Sequence, residues 1–212
     1  MKINKKLALI YGVLLGDGCI SKVGKHHYFL EIAGNMKDDL PFLNKIKPII
    51  EDIRGKKIKI KKRGSMNELE ISFCDKKMFS LFKELGLPVG KKGPKLLISK
   101  KFGRIFYKEI IQGYFATDGC LVITNNNGIL YPRIEFSSIS RDLLQQVLSY
   151  LKEKGMNGAV YVSHRYKDKK TLYRIQFNGK NNLLKFIDKI GFVNPKHKEK
   201  YEKWKKSGGA DI

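Results

Sequence analysis

The sequence is short of several things. Its three cysteines, Cys19, Cys74 and Cys120, are an odd number without paired spacing. That excludes the dense disulfide framework of a small secreted domain. There is no Cys-x-x-Cys and no Cys/His pair at zinc spacing, and the four histidines (26, 27, 164 and 197) are scattered, so none reads as a metal ligand. The longest apolar run, residues 7–15, is too short to span a bilayer. The most consequential shortage is of acid. Twenty Asp and Glu face 43 Lys and Arg, a net charge of +23 in 212 residues. A lysine-rich surface alone is the plainer explanation, but the excess is large for surface bias. It points to a polyanionic partner, nucleic acid ahead of an acidic membrane. At 42% hydrophobic, the chain has enough for one large core or two small ones.

Lys2, Lys5 and Lys6 precede the apolar run, as in a secretory leader. A second copy of the stretch argues otherwise. Residues 10–18 read IYGVLLGDG, and residues 111–119 read IQGYFATDG. They agree at the first, third, eighth and ninth positions, and Cys19-Ile20 is answered by Cys120-Leu121, 101 residues on. A leader does not recur in mid-chain, so the chain is expected to be intracellular. Two copies of one supersecondary unit are expected instead.

Hydrophobic period extends the repeat. In the first half, alternation at 28–32, 57–61 and 69–73 predicts strands, and the 37–54 and 75–85 stretches predict helices. In the second, strands are predicted at 133–136, 160–165 and 173–177, and helices at 140–154 and 179–190, with Ser140 as an N-cap. A polar connection occupies 167–170, and a basic helical tail 196–206. Each half reads αββαββα, which gives an α+β fold with antiparallel sheets. The halves are set at 1–87 and 99–212, joined by a basic Pro/Gly-rich linker over 88–98.

Glycine inside a helix costs roughly 1 kcal/mol against alanine, so Gly12 and Gly16 need a reason. Four residues apart, they share a helix face; Gly113 and Thr117 repeat them, beside Ala116. Such a small-residue stripe lets two helix backbones approach closely, and the two motif helices are expected to pack there. Gly18 and Gly119 suit left-handed helix termini, which puts Asp17 and Asp118 in the last turns of their helices. A carboxylate sits badly at the negative end of a helix dipole, and two repel each other. A divalent cation resolves both problems. Hard oxygen donors from Asp17, Asp118 and the Gly16 and Thr117 carbonyls suit Mg²⁺, with Mn²⁺ as a substitute.

Strand alternation also sorts the basic residues. With isoleucine and valine turned inward, Lys57, Lys59, Lys61, Arg133, Tyr161, Arg165, Arg174 and Gln176 share an outer face. Lys22, Lys25 and Arg63 join them. Arg and Gln read guanine and adenine edges, and Lys mostly meets phosphate. Glu68 and Glu70 would lie among the lysines, as partners or as acceptors from cytosine.

The paired motifs, the αββαββα halves and the charge resemble the LAGLIDADG homing endonucleases, over nearly the whole chain. The resemblance implies a monomer of two pseudo-symmetric halves forming a saddle over double-stranded DNA. It implies that metals at Asp17 and Asp118 serve hydrolysis of one phosphodiester in each strand across the minor groove. It also implies a polar residue and a lysine after the first hairpin of each half. Asn35 and Ser138 stand in the polar place, but Met36 and Ile139 fall where a lysine belongs, which leaves Lys37 or Arg141 with a shifted register. An RNA maturase for its own intron, or a cleavage-deficient DNA binder, would use the same basic saddle. Nothing at either end, Met1 or the closing GGADI, resembles protein splicing.

Overall fold

The computed structural model describes residues 2–64, 67–165 and 171–209. Two compact units are present, Met1–Lys92 with Ile98–Thr117, and Gly93–Leu97 with Asp118–Ile212. The connection expected at 167–170 and the last three residues lie outside the described residues.

The first unit runs α1 (Lys5–Leu15), β1 (Gly18–Val23), β2 (His27–Asn35), α2 (Leu40–Arg54), β3 (Ile60–Arg63), β4 (Glu68–Cys74) and α3 (Lys76–Glu84). Its sheet is antiparallel with order β1-β2-β4-β3. The alternation in β4 buries Leu69, Ile71 and Phe73 toward the helices. The buried face of α2 is Phe42, Leu43, Ile46 and Ile50, while Leu40 is 39% exposed at its start. Asp75 caps α3 by accepting from Met78 N at 3.0 Å.

β3 begins three residues later than the expected 57–61 and runs on to Arg63. The Glu51 carboxylate accepts from Ile58 N at 3.0 Å, and Arg54 donates to the Lys57 carbonyl at 3.2 Å. Side chains of α2 thus satisfy this backbone, and Lys57 and Lys59 precede the ladder. The Ile58 amide, and after it Lys57, hold the Glu51 carboxyl below the usual carboxylate range against a smaller opposing effect of burial.

The second unit runs from the end of α4 (Tyr107–Asp118) through β5 (Gly119–Asn126), β6 (Ile129–Ser138), α5 (Arg141–Glu153), β7 (Ala159–Arg165), β8 (Thr171–Asn178), α6 (Lys180–Lys189) and α7 (Pro195–Trp204). The sheet repeats the first one's order as β5-β6-β8-β7. Its core holds Leu121, Ile134, Phe136, Ile175 and Phe177 with Leu144, Val147, Leu151, Leu183 and Phe186. Ser140 is fully buried because its hydroxyl is used twice. It donates to the Leu96 carbonyl at 2.6 Å and accepts from Leu143 N at 3.2 Å. The basic tail forms α7, anchored where Trp204 Nε1 donates to the Leu130 carbonyl at 3.0 Å. Both halves therefore realise αββαββα. Among the described residues no helix is long and apolar enough to cross a membrane.

Candidate functional site

The first motif forms α1 and the second α4. A Cβ on Gly12 would stand 2.0 Å from the Ile110 carbonyl oxygen, and one on Gly113 2.1 Å from that of Leu9. Only hydrogen fits at either place, so the expected close approach of the two helices is present at Gly12 and Gly113. Ala116 is buried, whereas the Thr117 hydroxyl turns back to its own helix, 3.0 Å from the Tyr114 carbonyl. Gly16 caps α1, donating to Val13 O at 3.2 Å. The Tyr11 hydroxyl donates to Leu85 O and accepts from Ser99 N, each at 3.1 Å.

The glycines after the aspartates do something other than expected. Neither Gly18 nor Gly119 has positive φ; they open β1 and β5. A Cβ on Gly18 would lie 2.6 Å from Leu14 Cα, so glycine is needed there for close approach. Left-handed glycines follow the other helices of each half instead: Gly55 (φ 72°) after α2, Gly86 (φ 87°) after α3, Gly155 (φ 79°) after α5 and Gly191 (φ 82°) after α6. Asp118 is the last residue of α4, as expected, but Asp17 lies two residues beyond α1.

A cation does sit at the C-terminal pole of α1, and it belongs to the chain. Lys92 Nζ donates to the carbonyls of Leu14 at 3.2 Å and Leu15 at 3.1 Å, which favours the helix dipole. Only the basic character of the linker hinted at it in the sequence. Cys19 lies nearby, its thiol pKa pushed up by burial and by Glu31, with Lys92 acting against them.

Asp17 lines an open polar cavity of ≈ 260 Å³ with Ala33, Gly34, Asn35, Asp39, Arg63 and Glu68. Asp17 O accepts from Ala33 N at 3.2 Å, which fixes the residue against β2. Asn35 Oδ1 accepts from Lys37 N at 2.8 Å, and Asn35 N donates to Asp39 Oδ2 at 3.0 Å. Lys37 is exposed and does not line the cavity; the basic residue that does is Arg63. In the second unit Ser138 mirrors Asn35. It ends β6, and its Oγ accepts from Ser140 N at 3.0 Å. Arg141 is exposed at the first turn of α5. Among the described residues no three His, Cys, Asp or Glu side chains form a metal cluster. Apart from the Arg63 guanidinium, the cavity is lined by oxygen donors of Asp17, Asn35, Asp39 and Glu68, and its volume admits an ion with its water, which takes about 30 Å³ per molecule. These oxygens fit a hydrated divalent cation held through few protein ligands.

The sheets revise the outer-face set. Lys22 pairs with Tyr28 in the same column as Ile20 and Leu30, so it lies on the helix-covered face, 5.4 Å over the Tyr28 ring. Lys25 is exposed in the β1–β2 turn. Lys61 and Arg63 stand opposite Glu70 and Glu68, and Arg63 approaches Glu70 at 3.9 Å. Lys57 pairs instead with Glu51 at 3.4 Å, and Lys59 is exposed. In the second sheet Arg133, Arg174, Gln176 and Tyr161 share one face. Arg165 does not join them. A bulge between Val162 and His164 shifts the alternation by one, so His164 takes the outer place and Arg165 the inner one, opposite Thr171.

Residues 105–191 match the family model of the LAGLIDADG-like domain. The chain is 29% identical over 209 residues to a probable translation initiation factor IF-2 of Methanocaldococcus jannaschii; the match takes in 93% of this chain and 16% of that protein. Among solved structures, I-DmoI in complex with DNA and Ca aligns at TM-score 0.64 and 17% identity, over 88% of both chains. The I-LtrWI LAGLIDADG homing endonuclease bound to target DNA aligns at TM-score 0.63 and 14% identity, over 95% of this chain and 88% of the other. The chain thus carries a LAGLIDADG-like domain and has the fold of the LAGLIDADG homing endonucleases.

Proposed function

We propose that the chain is a divalent-metal-dependent DNA endonuclease that cuts both strands of a long asymmetric site as a monomer. The observation that carries this reading is the Gly12–Gly113 helix contact, because each helix has an aspartate at its C-terminal end: Asp118 closes α4, and Asp17 follows α1 by two residues. Asp17 and Asp118 hold the ions, with Gly16 and Thr117 carbonyls as further oxygen donors. When bound, Mg²⁺ or Mn²⁺ polarises the scissile phosphate and lowers the pKa of water. Asn35 and Ser138 hold the turns beside the aspartates and orient a phosphate oxygen or water. Arg63 supplies the fixed positive charge beside Asp17 that a lysine at position 36 would have supplied. Lys37 and Arg141 serve the flanking phosphates. Solved structures of this fold with DNA and with Ca or Mn support a metal-dependent nuclease of DNA.

The gene is carried by an intervening element in a host gene, and the protein works where host DNA is accessible. The alignment of nearly the whole chain with a 16% segment of a translation factor supports this, since a module of this size sits inside a protein of unrelated name. The test uses a duplex of the joined sequences that flank the element. Wild-type protein with Mg²⁺ should make a double-strand break. Asp17→Asn and Asp118→Asn should each abolish it while duplex binding in Ca²⁺ persists. Undiminished cutting by either variant refutes the metal assignment, and failure of the wild type to cut refutes the nuclease.

A further inference from the structure

An acid lies at the centre of the second sheet's outer face. Glu135 stands on the side of β6 opposite the buried Ile134 and Phe136, directly across from Gln176 of β8 and Cys120 of β5. Its side chain is nevertheless only 8% exposed. Polar arms cover it. Oε1 accepts from Arg133 Nε and, at 3.0 Å, from Gln176 Nε2; Oε2 pairs with Arg174 Nη1 at 3.6 Å. A carboxylate only accepts, so the Gln176 amide is set with its nitrogen inward and its oxygen outward. Arg133 spends Nε on the contact. Among the described residues, Nε of Arg174 is buried without a hydrogen-bond partner.

The repeat provides an internal comparison. Glu31 has the same place in the first sheet, across from Cys19 as Glu135 is from Cys120. Its outer-face neighbours are Phe29 and Ala33 along the strand and Ser72 opposite. Among the described residues no guanidinium or amide stands at those positions. The acid recurs with the fold, but among the described residues donors surround it in the second half alone.

We propose that Glu135 is a positioning residue. It holds Arg133, Arg174 and Gln176 in a preset array for base edges, and so makes the second half the main sequence-reading half. This rests on the reading that the chain binds duplex DNA. Held guanidiniums present fixed N–H edges to guanine O6 and N7, and the outward Gln176 oxygen accepts from adenine N6 or cytosine N4. Arginine and glutamine lose rotamer freedom when they bind, and an array ordered beforehand has less to lose.

The experiment is selection by the full chain, in Ca²⁺, from a duplex library with a randomised core, with sequencing of the retained DNA. The wild type should enrich one sequence. Glu135→Gln should lose base preference over one contiguous block, by about tenfold at each position, while total duplex retention stays equal or rises because one negative charge is gone. Glu135→Asp keeps the charge but retracts it by one methylene, and should lose part of the same block. Glu31→Gln should enrich the wild-type sequence. An unchanged preference in Glu135→Gln overturns the proposal, as does a loss spread evenly over the site together with binding. If Glu135→Gln fails to fold, an unchanged preference in Glu135→Asp overturns it. A wild type that enriches nothing overturns it together with the DNA reading, whereas enrichment by the wild type isolates the role of Glu135.

Discussion

Gly12→Ala decides between two opposite expectations. In an isolated helix the change stabilises by roughly 1 kcal/mol, because alanine has less freedom to lose. In this fold the new Cβ stands 2.0 Å from the Ile110 carbonyl oxygen and 2.8 Å from its carbon. Both are backbone atoms, so no side chain can rotate away. Ordinary contact begins at 3.4 Å, and α1 and α4 must part by about 1.4 Å to reach it. Parting also loosens Gly113 from Leu9 on the same seam. Inserted methyl groups cost about 1–3 kcal/mol when side chains yield, and more when backbone must. With the propensity gain deducted, a net loss of roughly 3 kcal/mol is expected. For a chain of this size that lowers Tm by roughly 6–12 °C. Scanning calorimetry or thermal circular dichroism on Gly12→Ala, Gly113→Ala and Gly93→Ala measures it. Gly93 has nothing within 4 Å of a built Cβ, so its substitution should be neutral or stabilise by up to about 1 kcal/mol. If Gly12→Ala behaves like Gly93→Ala, the close helix contact is wrong.

Tyr11→Phe leaves both Leu85 O and Ser99 N without the hydroxyl, and should lower stability by roughly 2–4 kcal/mol in urea unfolding; an unchanged midpoint would show that the bridge holds nothing. Burial raises the Tyr11 pKa well above its ordinary value. Its neutral form therefore contributes stability that is complete below about pH 10 and is lost as pH rises beyond it, a fall that Tyr11→Phe should flatten in pH-dependent melts. Cys19 is pushed up by burial in the same sense, whereas Cys74 and Cys120 are exposed. Limited alkylation near pH 8 should mark Cys74 and Cys120 before Cys19, with mass spectrometry as the readout. Lys92→Met removes the ammonium from the Leu14 and Leu15 carbonyls and should cost about 1–2 kcal/mol in thermal melts, while Lys92→Arg should restore part of it.

The order of elements was legible because both periods are clean. Leu69, Ile71 and Phe73 alternate as a strand must, and α5 buries Leu143, Leu144, Val147 and Leu151 as a helix must. The motif glycines were legible because they occur twice. What alternation cannot carry is register. Arg165 changes face through one extra residue in β7, and Lys22 shares a column with Ile20. Nor can it carry contacts between elements. Glu51 of α2 captures Ile58 and delays the start of β3, Lys92 returns to α1 from the linker, and Gly18 of β1 is required by Leu14 of α1 rather than by its own φ. Each of these is set by contact between one element and another piece of chain, which the hydrophobic period of neither encodes.

The two sheets divide charge differently, and that bears on where affinity and discrimination arise. On the outer face of the first, Lys61 and Arg63 meet Glu68 and Glu70, so little net charge is left on the strands. On the second, two arginines and a glutamine surround one acid. The +23 excess must therefore sit mainly off the strands, on helices, turns and linker. Lysines there meet phosphate without regard to sequence and give a binding term that weakens steeply with salt. Residues fixed on a strand by a buried partner meet bases at set positions and give a term that salt changes little. Under the DNA reading, neutralising tail lysines such as Lys198 and Lys203 should reduce the salt slope and leave the selected sequence intact. Disrupting Glu135 should do the reverse. The two perturbations separate the terms because they act on different atoms of the same duplex.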